Sequence, residues 1–200
     1  FGQKHFNPNF KFKGQYKTQK EINDIQTVAY ISRTNAQLVS KIIELNKDGI
    51  KYNLTRKANV IFELILILLH LDPEKKIYSH EYKYIESDLQ DYAKSSDLQQ
   101  IYDTKYKYIM SLYGEDIPFK AAGSVISDHG YELIMDTFNL AKQYETETKH
   151  ATTVTTCHSV KGLQMDEVFI LDDLNITLDN IFKEKEPGEY SDKELELLNL

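Results

Sequence analysis

The chain has 200 residues and 41% apolar side chains, enough for one large domain or two small ones around a buried core, which excludes a disordered tail and a collagen-like repeat. Its net charge of −7 argues against a nucleic-acid partner only on average, because residues 1–57 carry 11 Lys/Arg against 4 Asp/Glu and residues 58–200 carry 13 against 27, so one basic face could still meet phosphates. A single cysteine, Cys157, rules out an intrachain disulfide, and the longest apolar run, 60–71, is interrupted by Glu63 and His70, short of the ~18 residues a membrane span needs.

Residues 1–26 are polar and aromatic, with Asn7-Pro8-Asn9 and Gly14 as turn signals, and read as an irregular lead-in. Residues 27–32 (Thr-Val-Ala-Tyr-Ile-Ser) are short, apolar and β-prone, which predicts a buried strand. Asn35 can cap a helix over 36–46 with Leu38, Ile42 and Leu45 on one face, and Gly49 supplies its stop. Residues 50–54 predict a second strand. Residues 58–71 are apolar on nearly every side and predict one buried helix ended by Asp72-Pro73.

From 74 to 149 the composition shifts to Tyr, Lys, Asp and Ser, with apolar residues at helical spacing: Tyr82, Ile85, Leu89 and Tyr92, then Tyr102, Tyr106, Ile109 and Leu112. The pattern breaks over 114–118 and resumes over 131–144, predicting an all-helical segment of three or four helices. Residues 151–156 and 167–171 read as strands. An acidic loop with Pro187 and Gly188 follows. Ser191 and Glu194 then form a capping box for a final helix. Strands at both ends with helices between predict one α/β unit with a partly parallel sheet, interrupted by a helical insertion. The sequence opens on Phe1 and stops at Leu200 inside a helical pattern, so a piece of a longer protein is expected.

The chemistry concentrates in 153–174. A strand delivers Thr155 and Thr156 to its carboxyl end, followed by Cys157, His158, Ser159, Val160, Lys161 and Gly162. In an open α/β sheet that edge is where ligands bind. Hydroxyls, an ammonium and a glycine there suit phosphate, since Thr156, Ser159 and Lys161 can donate hydrogen bonds and Gly162 allows close backbone approach. Composition alone also fits a plain polar connection between two strands. Cys157-His158 is not expected to pair as nucleophile and base, because adjacent side chains diverge. The six scattered histidines give no zinc spacing, and no Walker A pattern is present.

The run Thr156-Cys157-His158-Ser159-Val160-Lys161-Gly162-Leu163-Gln164-Met165-Asp166-Glu167-Val168 resembles motif V of the UvrD/Rep/PcrA-like superfamily 1 DNA helicases, Thr-x-His-x-x-Lys-Gly-Leu-Glu-apolar-Asp-x-Val. Residues 28–36, Val-Ala-Tyr-Ile-Ser-Arg-Thr-Asn-Ala, resemble motif IV of the same family, and residues 194–200 resemble the helix leading into motif VI. Asp172-Asp173 and a helical insertion beginning near Leu71-Asp72-Pro73-Glu74 are most similar to the F-box DNA helicase branch, although no F-box is present in these residues.

This resemblance implies the second RecA-like domain, 2A. Residues 1–26 would be a linker and 27–71 the first part of 2A. Residues 72–150 would form a reduced 2B-type helical insertion, and 151–200 the second part of 2A, stopping before motif VI. It further implies that Arg33 reaches the ATP γ-phosphate, that Gly162 and Gln164 meet the nucleotide ribose, and that Thr156, His158, Ser159 and Lys161 contact single-stranded DNA. Gln164 departs from the family's Glu; an amide still accepts a hydrogen bond from a ribose hydroxyl, without charge.

The implied protein is an ATP-dependent 3′-to-5′ DNA helicase of the repair or recombination type, using ATP and Mg²⁺ and working with a 1A motor domain. No membrane is involved, and the setting is intracellular: nuclear in a eukaryote, cytoplasmic otherwise. Walker A, Walker B and motif III are absent from these 200 residues, so the chain alone is not expected to turn over ATP or to bind it tightly. Two alternatives remain: a helicase-derived adaptor without ATPase activity, which the flanking Walker motifs would decide, and a helicase–nuclease subunit, which a following nuclease domain would decide.

Overall fold

The computed structural model describes residues 27–71, 79–147 and 149–173. The lead-in over 1–26, the Asp72-Pro73 stop, the acidic loop and the capping box at Ser191 lie outside the described residues.

The fold is mixed α/β. β1 (Val28–Ser32), β2 (Tyr52–Leu54), β3 (Thr152–Thr156) and β4 (Glu167–Ile170) form one sheet in the order β2-β3-β1-β4. Every pairing is parallel, with Tyr30 opposite both Val154 and Phe169, and Leu54 opposite Val154. The sheet is thus parallel throughout rather than in part. β3 must pass across β1 to reach β4, and it does so through residues 157–166, which contain no helix.

α1 (Asn35–Lys47) starts one residue earlier than Asn35 capping would give. Thr34 is the cap, its hydroxyl accepting from the Gln37 N–H at 3.2 Å, which satisfies one of the otherwise unpaired first-turn donors. The other end closes as a Schellman motif: Gly49 sits at φ +68, its N–H donates to Asn46 O, and the Ile50 N–H donates to Leu45 O. This capping role takes Ile50 out of the second strand, which begins at Tyr52.

The predicted helix over 58–71 is two helices, α2 (Ala58–Ile61) and α3 (Glu63–Leu69). The break falls at Phe62, which is wholly buried and packs on Phe138 with ring centroids 5.4 Å apart. A short 3₁₀ turn (His80–Tyr82) then leads into α4 (Lys83–Lys94), α5 (Ser96–Ile101), α6 (Lys105–Tyr113) and α7 (Ile117–Tyr144). The described part of the segment contains no strand. The break expected over 114–118 is shorter than the sequence suggested: Gly114 ends α6, and Pro118 lies in the first turn of α7, where a missing N–H costs nothing. The real interruption is Gly130, at φ 72 and ψ 170 inside α7, a region nearly closed to residues with a Cβ.

One apolar core runs through both parts of the chain. It joins Leu38, Ile42 and Ile43 of α1 and Val154 of β3 to Ile85, Leu89 and Ile109 of the helical segment. The second half of α7 buries Ile134 and Ala141 in that same core and leads directly into β3. A second, smaller cluster of Ala29, Ile31 and Cys157 lies on the opposite face of the sheet.

Candidate functional site

All four strands point their carboxyl ends the same way, so the residues that follow them gather at one edge: Arg33 after β1, Thr55 and Arg56 after β2, His158 after β3, and Asp173 after β4. That edge faces the helical segment across a cleft of about 480 Å³, lined by Arg33, Thr34, Asn35, Arg56, Thr156 and His158 on the sheet side, with Glu63 and Leu64 of α3, and by Glu81, Tyr82, Ile117 and Pro118 across from them. The volume falls in the range of small-molecule sites.

Hydroxyl groups stitch this edge together. Thr55 and Thr155 share a hydrogen bond between their hydroxyls at 2.7 Å. Thr156, only 5% exposed, donates its hydroxyl to Ser159 Oγ at 3.1 Å, and its carbonyl accepts the Ser159 and Val160 N–H groups. The chain therefore turns sharply after β3 and leaves His158 exposed at the cleft.

Asp173 organises the other side. Its carboxylate accepts from the Arg33 N–H at 3.1 Å, the Thr34 N–H at 2.7 Å and the Thr34 hydroxyl at 2.8 Å. These are charge-assisted contacts at a helix N-terminus, where negative charge is favoured. The anion-binding backbone donors at the start of α1 are thus partly satisfied from within the chain, and a ligand in the cleft must meet side chains instead.

The cleft holds both signs of charge: Arg33 and Arg56 against Glu63 and Glu81. Burial pushes the Tyr82 hydroxyl up to about 12; the Glu81 and Glu63 carboxylates push the same way and Arg56 opposes them. Tyr82 is therefore a neutral hydrogen-bond donor at any ordinary pH. Behind the edge, Cys157 Sγ lies 3.5 Å from His158 Nδ1, so these neighbours do meet, contrary to the divergence expected of adjacent residues. The turn after Thr156 brings them together. Burial nevertheless raises the Cys157 thiol above its ordinary value, which withholds the thiolate a nucleophile needs.

Of the residues singled out from sequence, Arg33, Thr156 and His158 come together in the cleft, with Ser159 bonded to Thr156. Lys161, Gly162 and Gln164 do not join them. They are exposed on the β3–β4 connection, with Gly162 at φ +85, and none lines the cleft. The ribose and phosphate contacts that the resemblance assigned to one nucleotide are thus divided between two places. Arg56, Tyr82 and Asp173 went unremarked as site residues. A signal existed for two of them, because each directly follows a strand and so lands on the same edge as Arg33. Among the described residues no group of three or more His, Cys, Asp or Glu is placed to hold a metal ion, and no helix is long and apolar enough to cross a membrane. No protein-family model, curated protein or solved structure matches this chain.

Proposed function

We propose that the chain is the second RecA-like motor domain, 2A, of an ATP-dependent DNA helicase resembling the UvrD/Rep/PcrA-like superfamily, with the helical segment as a 2B-type insertion. One observation supports this reading above the rest. The two stretches that resemble motifs IV and V form adjacent parallel strands, β1 and β3, whose ends bring Arg33, Thr156 and His158 to a single cleft.

In this reading Arg33 meets the γ-phosphate of ATP. A guanidinium stays charged at every working pH and binds phosphate oxygens as a fork, and its attraction rises as charge develops on the transferring group. Mg²⁺ and the other half of the nucleotide site belong to a 1A domain. His158 is exposed and can touch a DNA strand directly, whereas Thr156, nearly buried, holds Ser159 and sets the turn that presents His158. Closure of 1A against 2A around ATP would then be felt by the strand through this turn.

The adaptor reading keeps one specific support: Gly162 and Gln164 lie outside the cleft that holds Arg33. Both readings meet the same experiment, ATPase rate against single-stranded DNA concentration for the complete protein and three variants. Arg33→Ala should lower the rate by about 10³-fold or more, if its contact has the weight of an arginine finger, while leaving nucleotide-free DNA binding intact. His158→Ala and Thr156→Val should weaken strand binding modestly and in a salt-dependent way, because phosphate contacts release counterions. An Arg33→Ala rate equal to wild type removes Arg33 from the nucleotide. A wild type without ATPase activity decides for the adaptor.

A further inference from the structure

Of the chain's 24 Lys/Arg residues only Arg33 and Arg56 are arginine. Both line the cleft, and no described lysine does. They reach it from different elements: Arg33 follows β1 and Arg56 follows β2, strands that are separated in the sheet by β3. Two strand spacings put those chain ends about 10 Å apart, on either side of the end of β3, and both residues line the one cleft. Arg56 is exposed. It lies beside Tyr82, whose hydroxyl feels its charge, and among the described residues it makes no hydrogen bond or ion pair. Because Asp173 already takes the Arg33 and Thr34 backbone donors, the charge of an anion in this cleft falls to these two side chains.

We propose that Arg56 and Arg33 form a two-arginine clamp for a nucleotide phosphate. This rests on the nucleotide reading of the cleft and adds to it a second phosphate ligand contributed by β2. Paired guanidinium forks hold a tetrahedral phosphate from two sides with directional hydrogen bonds, which an ammonium cannot reproduce. The Glu63 and Glu81 carboxylates line the same cleft and, like Arg56, act on the Tyr82 hydroxyl; they repel a bare polyanion and can accept hydrogen bonds from sugar hydroxyls or base amino groups, so they favour a nucleotide over inorganic phosphate chains. The phosphate can come from ATP or from the backbone of a single DNA strand.

Having two arginines makes the test direct. In a ¹H–¹⁵N spectrum of the 200-residue chain each arginine gives one Nε–Hε resonance, assigned with Arg33→Lys and Arg56→Lys. The chain is titrated with tripolyphosphate, ATP and an oligothymidylate at millimolar concentrations. Both resonances should move with the same midpoint. Arg56→Lys should weaken binding about tenfold, the loss of one charge-assisted contact. Lys57→Gln, the adjacent cation outside the cleft, should change it less than about twofold, as expected for an exposed charge. A lower midpoint for ATP than for the oligonucleotide assigns the phosphate to the nucleotide, and the reverse assigns it to the strand. If Arg33 responds and Arg56 does not, the clamp is wrong and the nucleotide reading stands. If both respond to tripolyphosphate as strongly as to ATP or DNA, the clamp stands and the nucleotide reading fails. If neither moves, both are overturned.

Discussion

The two faces of the sheet are covered in opposite ways. One face, carrying Tyr52, Leu54, Val154 and Tyr30, lies under α1 and the end of α7 and belongs to the main core; at its edge Phe169 of β4 stacks on Tyr30 but stays 43% exposed. On the other face Ala29, Ile31 and Cys157 are met by Val160 and Met165 of the β3–β4 connection, while Val168 and Ile170 remain 48% and 44% exposed. The contrast reverses what strand composition suggests. β4, Glu-Val-Phe-Ile, is the more apolar strand and is exposed at every position; β3, Thr-Thr-Val-Thr-Thr, is buried at four of five. Burial is set by what crosses a strand, not by the strand's own residues. The threonines of β3 tolerate burial because Thr155 and Thr156 have hydroxyl partners at the carboxyl end.

The sharpest way to break this comparison is a matched pair of substitutions, Val154→Asp on the covered face and Val168→Asp on the open one. Val154 is fully buried, and an unpaired carboxylate there should cost about 3–5 kcal/mol, a large share of the ~5–15 kcal/mol that holds a domain folded. Val168→Asp should stay within about 0.5 kcal/mol, as surface changes do. Urea unfolding midpoints measure both. Equal losses would mean that the open face is covered in the protein as it folds.

Besides its ladder with β1, β4 is tied by a carboxylate at each end. Asp166 accepts the Thr27 N–H and hydroxyl at 2.9 and 2.8 Å at the start of β1, and Asp173 takes the Arg33 and Thr34 donors at its finish. Asp173→Ala strands those donors and should cost about 2–3 kcal/mol. Hydrogen exchange should speed up over 167–170 and at the start of α1, and hardly at all over β2. Uniform exchange across the sheet would show that pairing, not the carboxylates, retains the strand.

The division between legible and hidden parts follows the same line. The helices carry 3.6-residue periodicity and the strands are apolar or β-branched, so β1, β3, β4 and the helical segment stood out from composition and spacing. The split at Phe62 and the withdrawal of Ile50 from β2 were not readable, since a wholly buried side chain decides the first and a C-terminal cap the second. Arg33, Thr156 and His158 were legible as a group because two short motifs held them. Arg56 carried only the weaker signal of following a strand, which joins it to the others once the β2-β3-β1 order is known, and Tyr82 carried none, because it reaches the edge only through the fold of the helical segment. Gly162 and Gln164 sit close to His158 in sequence and still leave the cleft, because the chain turns twice between them.

The smallest effect sharpens the comparison from inside the open face. Cys157 is the chain's one thiol, 7% exposed beneath Val160 and Met165, and burial raises its pKa. Only the thiolate reacts, so at pH 8 its alkylation by iodoacetamide should be slower than in the urea-unfolded chain by about tenfold or more. The sign follows from the direction of the shift: the folded thiol stays protonated where the unfolded one ionises, so the ratio of the two rates is fullest below the ordinary thiol pKa and closes as pH rises through the folded one. The stability associated with the neutral thiol is complete below the ordinary value and is lost as pH rises through the folded one. Met165→Ala removes part of the lid and should bring the native rate toward the unfolded rate, with little change in the urea midpoint because Met165 is only partly buried. A native Cys157 that reacts as fast as the unfolded chain would mean that the connection does not seal this face. The sheet would then have one covered side and one fully open to whatever meets it.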